Sequence, residues 1–332
     1  MTDIVILWVD GDEPGLRAKR ESYMARNGIK TVSDDINGST RYSDKGEIYF
    51  CIGSILRFTD FVRKIFIVTD NQRPARLEEF LSLNFPGNKV PIEIVDHKIL
   101  FRGYEQYLPT FNCNSIETMM YRIPGLGEDF VYFNDDVFLT SRIREEDWFT
   151  ADGKAVCYAR RFGSAAARLL KWLKPKKDGH KPIGHKDVML NSADIAASRY
   201  FWYFPHVPLA VCRSWYEDFY KEHPDIIIRN IKDRFRSPVQ FNPQQLFYIY
   251  GEKQGRCVIK SPKGRSVFFK PENGKGDGRY MMKKIAEADS GEGLLFGCIS
   301  SMDKGSEKDF AIFNEWACRK IGLDPDFLKR KD

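Results

Sequence analysis

The chain has 332 residues, with 52 Lys plus Arg against 46 Asp plus Glu, a formal net charge of +6, and 42% apolar and 14% aromatic residues. That balance excludes intrinsic disorder and a fibrous design, and suffices for a large core in one domain or two smaller ones. Seven cysteines, an odd number scattered from Cys51 to Cys318 without a CxxC pair, indicate neither a disulfide framework nor a zinc finger.

The opening MTDIVILWVDGDE lacks a basic n-region and a small-residue cleavage site. No apolar run approaches the ~18 residues that span a bilayer, so a cytoplasmic protein is expected. Residues 4–9, 65–68, 92–95 and 130–133 form short β-rich runs, each followed by polar residues: Asp10, then Thr69 and Asp70, then Asp96 and His97, then Asn134, Asp135 and Asp136. They read as buried parallel strands. In the intervals, Ile48, Cys51, Ile52, Ile55 and Leu56 recur at helical spacing after Asp44, Pro74 opens a helix, and Asn114 caps the segment to Arg122. Alternation of strand and helix predicts an α/β core over residues 1–150, a mostly parallel Rossmann-like sheet flanked by helices.

Residues 151–195 read as a basic insertion or lid. Within them, positions 160–186 carry nine basic residues and one acidic, around Leu169, Leu170, Trp172 and Leu173. A solvated excursion or phosphate-binding lid is the leading reading, and an interfacial membrane helix the minor one. Residues 196–332 are expected to be a more helical C-terminal half that completes the active site, with helices over 213–222, 242–252 and 309–321 around a Gly- and Lys-rich loop at 270–278. The glycine run in that loop lacks the strand-then-helix context of a dinucleotide-binding turn.

Parallel strands bring their C-terminal ends to one edge, where open α/β sheets bind ligands. Asp10, Asp70, Asp96, His97, Asp135 and Asp136 are therefore expected around one crevice. Taken singly, acidic residues after strands are more often turn formers and helix caps. That explanation strains at Asp135 and Asp136, because Val137, Phe138 and Leu139 follow directly and two adjacent carboxylates in an apolar run need a compensating cation or donors. A Mg²⁺ or Mn²⁺ ion suits them, since hard ions take carboxylate oxygens and keep positions for substrate phosphate. Arg41 could hold a diphosphate, and Arg234 and Arg236 are placed to point the same way on an extended segment. His206, between Pro205 and Pro208, would be held stiffly. The positive charge favours an anionic partner such as a nucleotide, a phosphorylated glycan or an acidic membrane face, and no nucleic-acid-binding motif is present.

Taken in order, these segments resemble the Stealth family of sugar-1-phosphate transferases, which includes bacterial capsule and cell-surface polysaccharide phosphotransferases and the animal enzyme that starts the mannose-6-phosphate tag. The resemblance covers most of the chain. Its first block runs over residues 3–11 (DIVILWVDG), and its second over RYSDKGE from Arg41 to Glu47, VRKIFIVTDNQ, IVDH, LPTFN, Ile116-Glu117, RIPGL and YFNDDVF. The third is His206-Val207-Pro208 with RFRSP from Arg234, then Gln244 and the aromatic run ending at Tyr250. The fourth, around Cys298, departs from the family, reading Ser300-Ser301 where Asn-Asp is usual, so that Asp303 is the candidate substitute ligand.

The resemblance implies transfer of a sugar-1-phosphate from a UDP-N-acetylhexosamine to a glycan or lipid-linked oligosaccharide acceptor in surface-polysaccharide synthesis, with release of UMP. His206, Asp136, Arg236 and Arg41 are its candidate catalytic residues. Asp10, Gly11, Asp44, Glu47, Asn134, Arg234 and Gln244 are candidates for substrate binding, and Asp135, Asp136 and Asp303 for holding the divalent cation. The protein is then expected in the cytoplasm, with peripheral contact at the inner face of the cell membrane as a further expectation. The alternatives are a metal-dependent glycosyltransferase releasing UDP, which the strand-end acids alone permit equally well, and a non-catalytic binder of anionic glycan. The Ser300-Ser301 departure keeps an inactive homologue in view.

Overall fold

In the computed structural model, which describes residues 1–26, 45–173 and 185–329, the four apolar runs form strands β1 (Thr2–Leu7), β2 (Val62–Thr69), β3 (Ile92–Asp96) and β4 (Asp129–Asn134). Beyond them lie β5 (Val137–Leu139), β6 (Ala155–Tyr158), β7 (Arg160–Gly163), β8 (Tyr200–Tyr203), β9 (Leu209–Cys212), β10 (Cys257–Lys260), β11 (Ser266–Phe269) and β12 (Phe296–Ile299). The central sheet has the order β3-β2-β1-β4-β9, parallel except for β9. The mostly parallel Rossmann-like α/β architecture is therefore the one observed. β1 ends at Leu7 rather than at Val9, although the Trp8 backbone N–H still donates to the Val68 carbonyl at 3.0 Å.

The strand order fixes where a ligand can sit. From β1 the chain steps outward to β2 and β3, then returns to place β4 on the other side of β1, so the order reverses between β1 and β4. Open α/β sheets bind ligands at such a switch point, beyond the carboxyl ends of the strands. Leu7 pairs with Asn134 there, which sets Trp8 to Asp10 beside Asn134 to Asp136.

The helix Glu47–Phe58 packs on this edge because its residues 47–55 are all buried, leaving no polar face for solvent. Ser54 anchors it: its hydroxyl donates to the Cys51 carbonyl at 2.8 Å and accepts from the Leu139 N–H at 2.8 Å, tying the helix to β5. The helix Cys113–Met119 is capped by Asn112, not by Asn114 as the sequence suggested. Asn112 is extended (φ −137°) and its side chain accepts from the Asn114 N–H at 3.2 Å, whereas Asn114 already lies inside the helix.

The chain after residue 150 adds strands as well as helices. The helices Arg213–Glu222, Pro243–Lys253 and Glu307–Ile321 fall within two residues of expectation. β9 extends the central sheet, β6 pairs with β10, β7 with β8, and β12 lies between β11 and β5. β12 comes very close to β5: a Cβ on Gly297 would lie 2.3 Å from the Phe138 ring, so only glycine fits.

Two buried polar groups at the sheet ends carry measurable consequences. The Asp3 carboxylate, 0% exposed, accepts from Arg63 Nε at 2.8 Å and from the Gly127 N–H at 2.6 Å, joining β1 to β2 and to the turn before β4. Arg63→Ala is expected to cost about 2 kcal/mol by leaving that buried charge short of its main donor, read as a drop in urea midpoint at unchanged slope.

His97, just after β3, is buried, and among the described residues neither ring nitrogen has a hydrogen-bond partner. Burial lowers its pKa from 6.5 to about 4 against the opposing pull of Asp70 and Asp96. Between those values the unfolded chain binds a proton that the folded imidazole does not, so this contribution is fully present above pH 6.5 and is lost as pH falls towards about 4. Relative to His97→Leu, the wild type should therefore lose about 3 kcal/mol of unfolding free energy on acidification. Urea titrations of both proteins from neutral pH downward check this, and parallel curves would contradict it.

Candidate functional site

Asp135 and Asp136 form the turn between β4 and β5, and β12 holds that turn from the other side. The Ile299 N–H donates to the Asp136 carbonyl at 2.9 Å, and Cys298 Sγ donates to Asp136 Oδ2 at 3.4 Å. His206, on the segment between β8 and β9, completes the group: one ligand atom each of Asp136, His206 and Cys298 lie within 4.8 Å of one another. The imidazole is exposed and stacks on Phe268 at 5.0 Å and 12°. The proline-flanked segment thus delivers His206 to the strand-end carboxylate.

Burial raises the Asp136 pKa, and the nearby His206 and the Cys298 thiol pull it back. Burial, and then the Asp136 charge, push the Cys298 thiol far above its ordinary value, so it is a neutral donor rather than a thiolate. A bound ion would displace that proton, so the thiol does not decide which ion the group suits: the carboxylate offers hard oxygen ligands of the kind Mg²⁺ or Mn²⁺ takes, and the imidazole and thiol offer softer ones to a transition metal. Asp136 Oδ1 is enclosed and has no hydrogen-bond partner among the described residues, the arrangement a cation on that oxygen would complete. Asp136 is thus the carboxylate placed to hold a divalent cation, and Asp135, next to it in the turn, lies outside this cluster. Asp303 is not in this cluster; it is exposed in the single turn Met302–Lys304. The preceding Ser301 has φ 60°, a left-handed conformation that Asn and Asp adopt more readily than Ser.

A second polar chain leads away from Asn134. The Tyr132 hydroxyl lies 2.5 Å from Asn134 Oδ1 and 3.0 Å from Glu117 Oε1, and the Asn242 amide donates to Glu117 Oε2 at 3.3 Å. Burial raises the Glu117 pKa, with Tyr132, then the Arg236 charge and Gln244 opposing it. Arg236 Nη2 donates to Cys113 Sγ at 3.3 Å. Arg234 caps the Gln106 carbonyl and lies over the Tyr23 ring, while Phe235 between them stacks on Phe111 at 5.1 Å. Both arginines thus engage elements near the 106–113 segment, with the aromatic side chain between them buried.

A cavity opens beyond the ends of β1 and β2, lined by Trp8, Asp10, Lys19, Lys45, Asp70 and Arg73 among others. Asp10 is fixed there by reciprocal bonds with Gln72: its N–H donates to Gln72 Oε1 at 2.9 Å and its carbonyl accepts from Nε2 at 2.8 Å. Lys19 pairs with Asp70 at 2.6 Å, and Gly11 is buried close by. Glu47 is buried at the start of its helix, accepts from the Lys45 N–H at 2.6 Å, and its charge adds to the upward push on Cys298. Asp96, expected at the same crevice, instead caps the helix His97–Leu100 by accepting from the Lys98 N–H at 2.7 Å, and the other strand-end acids divide into two neighbouring groups, Asp10 with Asp70 at the cavity and Asp135 with Asp136 across β1. Arg41 and Asp44 lie outside the described residues. Glu117, Tyr132 and Cys298 stood inside the resembling blocks without an assigned role, because only packing shows that they face the strand ends.

The family description "Stealth protein CR2, conserved region 2" matches residues 41–157. The receptor polysaccharide phosphotransferase WefC of Streptococcus gordonii is 35% identical over 294 residues, covering 80% of this chain and 82% of its own. The capsular polysaccharide phosphotransferase cps1A of Actinobacillus pleuropneumoniae is 37% identical over 155 residues, 46% of this chain and 39% of its own. The chain thus spans about two fifths of that relative's length. Among solved structures, the bifunctional glycosyltransferase WbbM aligns with a TM-score of 0.48 at 11% identity, over 99% of this chain and 50% of that one. The sheet order and switch-point crevice make this an α/β protein with a polar strand-end site. It belongs to the Stealth family. Among the described residues, no helix is long and apolar enough to cross a membrane.

Proposed function

We propose that the chain transfers a sugar 1-phosphate, N-acetylhexosamine 1-phosphate in the first instance, from a UDP-sugar to a hydroxyl of a glycan or lipid-linked oligosaccharide in surface-polysaccharide synthesis. The observation that carries this reading is an exposed imidazole, His206, set beside the enclosed strand-end carboxylate Asp136 in a member of the Stealth family. In the reaction, the acceptor oxygen attacks the β-phosphorus of the donor. A new oxygen–phosphorus bond forms while the bond from that phosphorus to the bridging oxygen breaks, and UMP leaves.

His206 takes the acceptor proton on an imidazole nitrogen, a task for which its exposure beside Asp136 suits it. Asp136, with Asp135 beside it, would hold Mg²⁺ or Mn²⁺, which supplies positive charge to the diphosphate oxygens when bound. Arg236 and Arg41 counter charge on the departing phosphate. Asp10, Gly11, Asp44 and Glu47 shape the nucleotide and sugar pockets, with Asn134, Arg234 and Gln244 towards the acceptor side. The hydrogen-bonded Glu117, Tyr132 and Asn134 brace the base of the turn. This reading places the protein in the cytoplasm, at the inner face of the membrane, where a lipid-linked acceptor would be presented.

The product tests it. Phosphorus NMR of acceptor incubated with UDP-N-acetylglucosamine and Mg²⁺ should show a phosphodiester that resists phosphomonoesterase. A product sugar free of phosphorus would move the assignment to glycosyl transfer.

A further inference from the structure

We propose that the helix Ser164–Leu173 and the adjoining β7–β8 ribbon form a docking surface for an anionic phospholipid bilayer. The inference rests on this surface alone and not on the identity of the transferred group. Leu169, Leu170 and Trp172 are 57%, 64% and 72% exposed, and Phe162 on the ribbon is 38% exposed. These are four of the nine large apolar side chains most exposed among the described residues, gathered within eleven positions of sequence. A single exposed leucine is ordinary, but a cluster on one short amphipathic helix marks an interaction surface.

The charge around the cluster selects the occupant. Positions 160–173 contain Arg160, Arg161, Arg168 and Lys171 and no acidic residue. Arg161 lies 3.7 Å from the Tyr200 ring centroid, and Lys186 projects over Phe162 at 5.4 Å and Tyr203 at 5.6 Å. Arg168 pairs with Asp194, and both partners are about half exposed. Apolar tips flanked by cations on long stems are the pattern of a surface whose apolar side chains enter the acyl boundary while its cations stay at the headgroups. A neutral bilayer would meet only the apolar half of it, and an anionic one meets both.

Flotation with vesicles tests this on the full chain. The wild type should float with phosphatidylcholine vesicles containing phosphatidylglycerol about tenfold more than with phosphatidylcholine alone, and added salt should weaken that binding. The double variant Leu169→Glu/Leu170→Glu should fall to about the phosphatidylcholine level, roughly a tenfold loss, with an unchanged melting temperature because both side chains are exposed. Nucleotide release with a water-soluble acceptor should be the same in variant and wild type, which separates failure of docking from failure of the transferase reading. Equal flotation of variant and wild type overturns the proposal. So does a wild type that ignores phosphatidylglycerol, the result expected if the patch receives a protein partner instead.

Discussion

Replacing His206 with alanine is expected to lower acceptor-dependent turnover by about two to four orders of magnitude, the range for removing a positioned general base. The fold should survive, because the imidazole is exposed and its main contact is the stacked Phe268 ring. Donor binding should change little, since the residues lining the cavity at the ends of β1 and β2 lie on other elements. The split distinguishes a base from a structural histidine: kcat falls, the donor KM holds, and added imidazole restores part of the rate to the alanine variant. A fall in donor affinity as large as the fall in kcat would contradict the assignment.

Asp136→Asn should be equally damaging to turnover, by about a thousandfold, yet stabilising to the metal-free protein. The amide keeps the size of the side chain and an oxygen for the Cys298 thiol, and removes only the charge. In the wild type that charge is enclosed, and burial raises its pKa. A carboxyl whose folded pKa lies above its unfolded one contributes stability below the unfolded value and loses it as pH rises through the folded value. The asparagine variant escapes that loss, so its melting temperature should exceed that of the wild type at neutral pH and not in acid. Adding Mn²⁺ should raise the wild-type melting temperature and leave the variant unmoved, because an ion that binds only the folded carboxylate stabilises by mass action. A variant that melts lower than wild type at neutral pH without metal would show that Asp136 is instead held by donors.

Much of this arrangement follows from local pattern. The four apolar runs ending in acids are strands because buried parallel strands need continuous β-branched and aromatic stretches, and their acids fall at one edge because parallel strands share a direction. The helix Glu47–Phe58 was legible for the complementary reason, its apolar residues recurring at helical spacing. What stayed hidden depends on pairing between distant segments. Nothing near Cys298 announces that Gly297 lets β12 approach Phe138 closely enough to set a thiol on Asp136. Glu117 likewise reads as an ordinary helical acid until Tyr132 and Asn242 close over it. The division of the strand-end acids into two groups comes from the reversal of strand order at β1, which no run of residues encodes by itself. His206 was visible as a stiffly held histidine, and its target was not.

The most direct test of the central claim is the identity of the nucleotide released. Purified protein would be incubated with UDP-N-acetylglucosamine or other UDP-sugars, Mg²⁺ or Mn²⁺ and a mixed glycan acceptor, with UMP and UDP resolved chromatographically. The account predicts acceptor-dependent UMP, abolished by EDTA and in His206→Ala. UDP released together with a new glycosidic bond would contradict it.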